Sequence, residues 1–532
     1  MSTIELPTWM PEQSEEYLQK LETKKIQEKL KPSMKDRINS VLYAGVNKQT
    51  WKMMPFFVLH LLACSYSDIS SMDLIKTASN SNFGPITKHL RKVKVLLNLG
   101  IDLGRSFELI RNDVKFLYLR DFFQRFAQVA KLGEDLTAFL NKEFNTLMLI
   151  YTSAMERSLT RLKRLSEAYS AILSSSCVIL LITVFTGIIW GGGMDLLFFM
   201  FPCLIIIHLL FAYVFYIYTP IKKIVSIGAI NDDIAGIMKF DKSLAKLTIL
   251  INLLITILIT LHFLPKEIGL LLATFCGVPA LIIGVLGQKY QNKIQSYDER
   301  FPEFISMLSI SLSTIEASLT FAFRDIIKLD FGKLTPFIKR MRMRLDLGLN
   351  TKVSWESFRK EISSELIRIH TDTFENAITL GSPAKDIGPL ISNSSLYVLS
   401  ERKRIAEVSA LLKGMIIPMH PILCAIMGLI MAIVSLFVSI FQKYQNMNIP
   451  VIFVIMPSLS LIESYFYIYI VIMTIVNAFI IYQVEGQTEF ALLFNIGLFT
   501  LSGWLAYFTS LTFLSSYLQG IGISKIINPV GG

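Results

Sequence analysis

Residues 331 to 348 read Phe331-Gly332-Lys333-Leu334-Thr335-Pro336-Phe337-Ile338-Lys339-Arg340-Met341-Arg342-Met343-Arg344-Leu345-Asp346-Leu347-Gly348, and the chain carries this stretch twice. The earlier copy is Phe83 to Gly100. Without a gap, Phe83 aligns with Phe331, Gly84 with Gly332, Thr87 with Thr335, Arg91-Lys92 with Lys339-Arg340, Lys94 with Arg342 and Gly100 with Gly348, at a constant offset of 248. The same offset pairs Phe126 with Phe374 and Leu132-Gly133 with Leu380-Gly381. A shared frame of about 50 residues reads as an internal duplication.

Apolar residues fall at Ile86, Leu90, Val93 and Leu97 in the first copy and at Leu334, Ile338, Met341 and Leu345 in the second. Spacings of four, three and four place them on one stripe of an α-helix. Arg91, Lys92 and Lys94, like Lys339, Arg340, Arg342 and Arg344, project around the rest of the circumference. Each copy is therefore expected to bury one face and offer cations. A solvated polar face on a core helix is the plainer reading of such charges; their recurrence in both copies argues for more.

Outward from this pair, the composition sets the environment. The 532 residues are 52% hydrophobic with a mean hydropathy of +0.51, above what a soluble globular chain carries. The fold class expected is all-α: a polytopic membrane protein with about seven transmembrane helices and two homologous cytoplasmic helical-bundle modules. The net charge of +11 fits lysine and arginine retained in cytoplasmic loops and requires no nucleic acid. The five cysteines show no C-x-x-C spacing, so neither zinc nor a disulfide framework is indicated.

The organisation follows in order. Residues 1–50 form a polar tail without the apolar core of a signal peptide. Residues 51–170 form the first helical module, broken at Asn80-Ser81-Asn82, Asn112-Asp113 and Gly133-Glu134-Asp135. A transmembrane hairpin at 171–218, a cytoplasmic link at 219–246 and a second hairpin at 247–287 lead to the second module, 288–412. Transmembrane helices at 413–518 and a tail at 519–532 complete the chain. Span six is the least defined: the apolar run from Pro450 to Tyr482 exceeds one helix, and Pro457, Ser458 and Ser460 could precede a span starting near Leu461. An eighth span is the alternative. The tail, link and both modules are rich in lysine and arginine, which places them on the cytoplasmic side.

Catalytic motifs are not found. Gly332-Lys333 is followed by Leu334 and lacks the upstream glycine of a phosphate-binding loop. No H-E-x-x-H or G-x-S-x-G occurs, and no cofactor or metal is expected. Polar residues inside apolar runs are His208, His262, His420 and Glu463. His420 lies between Pro418 and Pro421, where a kink is expected. A proton or ion path through His420 and Glu463 is the functional reading of these groups, and snorkelling or helix packing the structural one.

A helical module of about 110 residues, followed by spans and then repeated, resembles the type II secretion F protein family. The resemblance is carried by Leu347-Gly348, Trp355-Glu356-Ser357-Phe358 and Phe374-Glu375-Asn376-Ala377-Ile378-Thr379-Leu380-Gly381. The first copy has Leu99-Gly100, Ser106-Phe107-Glu108-Leu109 and Phe126-Ala127-Gln128-Val129-Ala130-Lys131-Leu132-Gly133. One departure is that the first hairpin turns, Ile69-Ser70-Ser71-Met72 and Glu316-Ala317-Ser318-Leu319, lack the usual glycine. Two modules with about seven spans look like the archaeal branch, which includes platforms of the archaellum and of archaeal adhesive pili.

What the resemblance implies is an assembly platform in the cytoplasmic membrane rather than an enzyme. Its partners would be a cytosolic hexameric secretion ATPase, pilin- or archaellin-like subunits and the lipid bilayer. A homodimer fits this architecture, although no residue calls for one. The cations Lys339, Arg340, Arg342, Arg344, Arg91, Lys92 and Lys94 are the candidate ATPase contacts, with anionic lipid headgroups as their rival ligand. The alternative functions are a secondary transporter or channel with cytoplasmic regulatory domains, and a membrane-anchored scaffold or sensor.

Overall fold

The structure, a computed structural model, describes residues 44–190, 193–219, 232–261, 263–315, 318–446, 459–485 and 489–520. Its regular elements are helical, with no strand among the described residues. In chain order they are α1 Ala44–Ser65, α2 Ser71–Ala78, α3 Pro85–Asn98, α4 Leu103–Ile110, α5 Leu117–Leu132 and α6 Leu136–Trp190. Then follow α7 Gly193–Tyr218, α8 Asp232–Thr260, α9 Lys266–Phe275, α10 Gly277–Ile315, α11 Leu319–Ile326 and α12 Thr335–Asp346. The last are α13 Thr351–Ile362, α14 Glu365–Thr379, α15 Ala384–Asn446, α16 Leu459–Glu485 and α17 Glu489–Gly520. Of the polar N-terminal tail, residues 44–50 already form the first turns of α1; the rest lies outside the described residues.

The duplication is written in the backbone. Helices α2, α4, α5 and α6 begin at residues 71, 103, 117 and 136, and α11, α13, α14 and α15 begin 248 positions later at 319, 351, 365 and 384. The positive-φ glycines pair at the same offset: Gly84 (60°) with Gly332 (58°), Gly100 (82°) with Gly348 (73°) and Gly133 (67°) with Gly381 (93°). At Gly100 the reason is a helix end: its N–H bonds to Leu97 O at 3.0 Å and the N–H of Ile101 to Leu96 O at 3.1 Å, a closure that needs a left-handed residue. Gly348 repeats it, with Leu349 bonded to Arg344 O at 3.1 Å. In the turn before α2, where a glycine was missed, Asp68 takes the left-handed conformation (φ 53°), which aspartate tolerates better than most residues.

The chain divides into two compact units, residues up to 155 with 372–387, and 156–371 with 388 onward. The unit boundary therefore does not follow the repeat boundary. The core of the first unit is aromatic: Phe57 packs on Phe83 at 5.6 Å and on Phe122 at 5.7 Å, and Phe107 on Phe123 at 4.7 Å. Residues 372–387 join it through polar contacts that bury side chains of both partners. His60 Nδ1 lies 3.3 Å from Thr373 Oγ1, Asn376 Nδ2 donates to Ser81 Oγ at 3.2 Å, and Ser382 Oγ donates to Ala63 O at 2.9 Å.

The second unit holds most of the membrane-spanning surface. Seven helices among the described residues are long and apolar enough to cross a bilayer: α6, α7, α8, α9 continued by α10, α15, α16 and α17. Span six is described from Leu459 onward; residues 447–458, on which the choice between the two expected starts falls, lie outside the described residues. Span four is divided at Cys276 into α9 and α10. Lipid supplies no hydrophobic force between spans, so α10 and α17 pack through small residues. A Cβ on Gly277 would meet Gly497 O at 2.7 Å, and one on Gly284 would meet the Phe494 Cα at 2.5 Å. Beyond the apolar part of α10, buried Asp298 accepts from Arg402 Nη1 at 2.7 Å and from Ser364 Oγ, tying α10 to α15 and to the start of α14.

Candidate functional site: twin cationic hairpins

Helices α3 and α4, and α12 and α13, form the same hairpin twice. The stripe Ile86, Leu90, Val93 and Leu97 is buried in α3, and Ile338, Met341 and Leu345 are buried in α12, as their spacing requires. Asp102 and Asn350, at equivalent positions, cap the following helices by accepting from the N–H groups of Gly104 and Lys352.

The seven candidate cations have unequal surroundings. Lys92 Nζ donates to Asp113 Oδ2 at 2.5 Å, and Arg340 Nε donates to Glu361 Oε2 at 2.9 Å. Residues 92 and 340, and 113 and 361, each differ by 248, so this is one ion pair in two copies. The ammonium of Lys92 bonded to Asp113 holds that carboxyl below its usual range. Arg344 also reaches Glu361, Arg342 Nε donates to Asp346 Oδ2 at 3.1 Å, and Lys94 Nζ donates to Asn80 Oδ1 at 2.9 Å. The Arg340 guanidinium lies 4.6 Å from the centre of the Phe337 ring. Arg91 and Lys339, again equivalent, are exposed and make no ion pair among the described residues.

The pairing fixes side chains without neutralising the surface. Between 324 and 361 ten lysines and arginines face five acids, and two cations share Glu361 while two, Arg324 and Arg342, share Asp346. Exposed pairs of this kind contribute little to stability. Arg91 and Lys339 carry charges that no ion pair among the described residues offsets. Sequence reading missed Asp113 and Glu361, although their offset and common sign were available.

The intramembrane groups form packing networks. His420 Nδ1 is 3.1 Å from Asn477 Nδ2, and Asn477 Oδ1 accepts from Tyr169 OH at 2.5 Å. His208 Nε2 lies 3.1 Å from both Ser176 Oγ and Tyr469 OH. α15 runs unbroken through Pro418 and Pro421. Lys266 Nζ donates to Glu463 at 2.6 Å, and Lys413 Nζ to Glu485 at 2.8 Å. These two pairs cap α16 at ends about 33 Å apart, close to a hydrocarbon thickness. Glu463 thus lies near one end of α16. Asn477, the partner of His420, is 14 residues further along α16, about 21 Å, so His420 and Glu463 do not meet. His262 lies outside the described residues. No group of three metal-ligating side chains occurs among the described residues.

Against known proteins, the chain is 24% identical over 516 residues to Flagella accessory protein J of Methanocaldococcus jannaschii, covering 92% of this chain and 87% of that one. It is 23% identical over 388 residues to Flagella accessory protein J of Methanococcus voltae, covering 70% and 66%. No family model and no solved structure matches. The resemblance to the archaeal branch read from the sequence agrees with these two relatives.

Proposed function

We propose that this chain, a relative of Flagella accessory protein J, is the assembly platform of an archaellum-type filament in the cytoplasmic membrane. The observation that carries the reading is likeness along nearly the whole chain, spans and both modules included. Both modules face the cytoplasm. A hexameric secretion ATPase supplies the energy, and the membrane bundle receives pilin- or archaellin-like subunits as they join the fibre.

The paired hairpins suit such coupling. Each sets a row of cations on a helix whose opposite face is buried, so a force applied at the surface is passed to a packed core. Arg91 and Lys339 are the first contacts, and Lys92, Lys94, Arg340, Arg342 and Arg344 surround them with positive potential that orients an acidic partner. Detergent-solubilised chain carrying Arg91→Glu and Lys339→Glu is expected to lose capture of the secretion ATPase, while the parent retains it. Unchanged capture, with no bilayer present, would overturn these contacts.

A further inference from the structure

Within the duplicated frame, most identities have a folding reason. Phe83 and Phe331 are core, Thr87 and Thr335 accept the N–H of those phenylalanines, and the paired glycines are left-handed. Leu99 and Leu347 are also identical, yet they are 72% and 75% exposed. Each stands at the end of its helix just before the left-handed glycine, a place where any L-residue closes the turn. One turn earlier Val95 and Met343 are exposed too (59% and 62%). Two apolar tips, flanked by the cations described above, are thus retained where the fold does not need them.

The second hairpin also shows its direction. The apolar part of α10 ends before Gln288-Lys289. Nearest that end, Tyr290 lies beside Ser363, just past α13, and Phe337, at the start of α12, packs 5.0 Å from Tyr297. Farther along, Phe304 packs on Phe323 at 6.1 Å and Phe323 on Trp355 at 6.0 Å, while Arg324 holds Asp346 at 3.1 Å. From Tyr290 to Phe304 α10 rises about 21 Å. The base of the hairpin therefore lies toward the membrane end of α10, and its tip, with Leu347, lies toward the far end.

We infer that Leu99 and Leu347 are docking tips for a soluble protein that offers an apolar socket rimmed by carboxylates, and offers it more than once. The inference rests on the platform reading and names the contact within it. Orientation of the second tip away from the membrane end of α10 favours a protein over lipid. Recurrence of the same tip in both modules requires a partner with repeated sockets, as a ring of identical subunits provides. The leucine supplies affinity by leaving water, and the surrounding cations supply orientation.

The test uses the full chain in detergent micelles and, as probe, the purified secretion ATPase of the same organism. Leu99→Ser and Leu347→Ser are each expected to weaken binding about tenfold, and the double variant further. Leu→Met at both sites is expected to bind within about twofold of the parent. Melting temperature stays at the parent value, because neither leucine is packed. A parent that binds while the double serine variant binds equally well overturns the tips alone. A parent that fails to bind overturns the platform reading and the tips with it. Quenching by brominated lipid of a dye placed at Leu347→Cys in nanodiscs would move the tip to the membrane surface and overturn the protein socket.

Discussion

Arg340 and Glu361 are joined at 2.9 Å in the second hairpin as Lys92 and Asp113 are joined at 2.5 Å in the first. A pair kept through duplication orders two helices, which separates a structural use of charge from a binding use at the neighbouring position. Arg340→Glu is expected to lower stability by less than about 1 kcal/mol, since both partners are partly solvated. Adding Glu361→Arg should recover only part of the loss, because the reversed pair sets an arginine beside Arg344, which also bonds Glu361 in the parent. Lys339→Glu should leave melting unchanged and weaken ATPase binding more at low salt than at high. Melting curves and binding at two ionic strengths check both.

Close approach of α10 and α17 gives a second expectation. Gly284→Ala drives a methyl against the Phe494 backbone and is expected to destabilise the bundle by about 1–3 kcal/mol. Gly414→Ala, in α15 with nothing within 4 Å of the new carbon, should be neutral or stabilising by up to about 1 kcal/mol. Thermal unfolding in detergent separates the two.

Buried histidines outside the membrane make stability pH-dependent. Burial lowers the pKa of His370 from 6.5 to about 4, partly countered by the Leu366 carbonyl that accepts from Nδ1, and burial lowers that of His60 to about 4 against the opposing charge of Asp372. Between those values the unfolded chain binds the proton and the folded chain does not. Stability is full above pH 6.5 and falls as pH drops toward 4, by on the order of 3 kcal/mol for His370. Unfolding midpoints from pH 7.5 to 4 should show this decline, with a shallower slope for His370→Gln.

If the intramembrane networks only pack helices, His420→Gln, which keeps one donor and one acceptor near Asn477, should still support filament assembly. Glu463→Gln should do the same with a modest loss of stability, because Lys266 is half exposed and its long side chain can turn away from the new amide. Abolished assembly by a stably folded His420→Gln protein would revive a transport role.

The repeat, the spans and the buried stripes were legible because periodicity and offset are local properties of the chain. Leu90 and Ile338 point inward as their spacing demands, and the glycine pairs mark the turns. Contacts between residues far apart in sequence were not legible. The attachment of Thr373, Asn376 and Ser382 to the first unit depends on complementary surfaces that no periodicity encodes. Asp68 in a glycine's conformation was missed because a left-handed turn can be met by aspartate at modest cost. The cations were found, but the acids that hold Lys92 and Arg340, Asp113 and Glu361, lie 21 residues downstream in another element, so charge alone overstated how many cations are unpaired.

The claim on which the mechanism depends is that both hairpins face the cytoplasm, and membrane-impermeant thiol labelling tests it most directly. Arg91→Cys and Lys339→Cys are placed singly in a chain whose own five cysteines are replaced. Both sites should stay unlabelled in intact cells and react in inverted membrane vesicles. Labelling of either site from outside intact cells would contradict it.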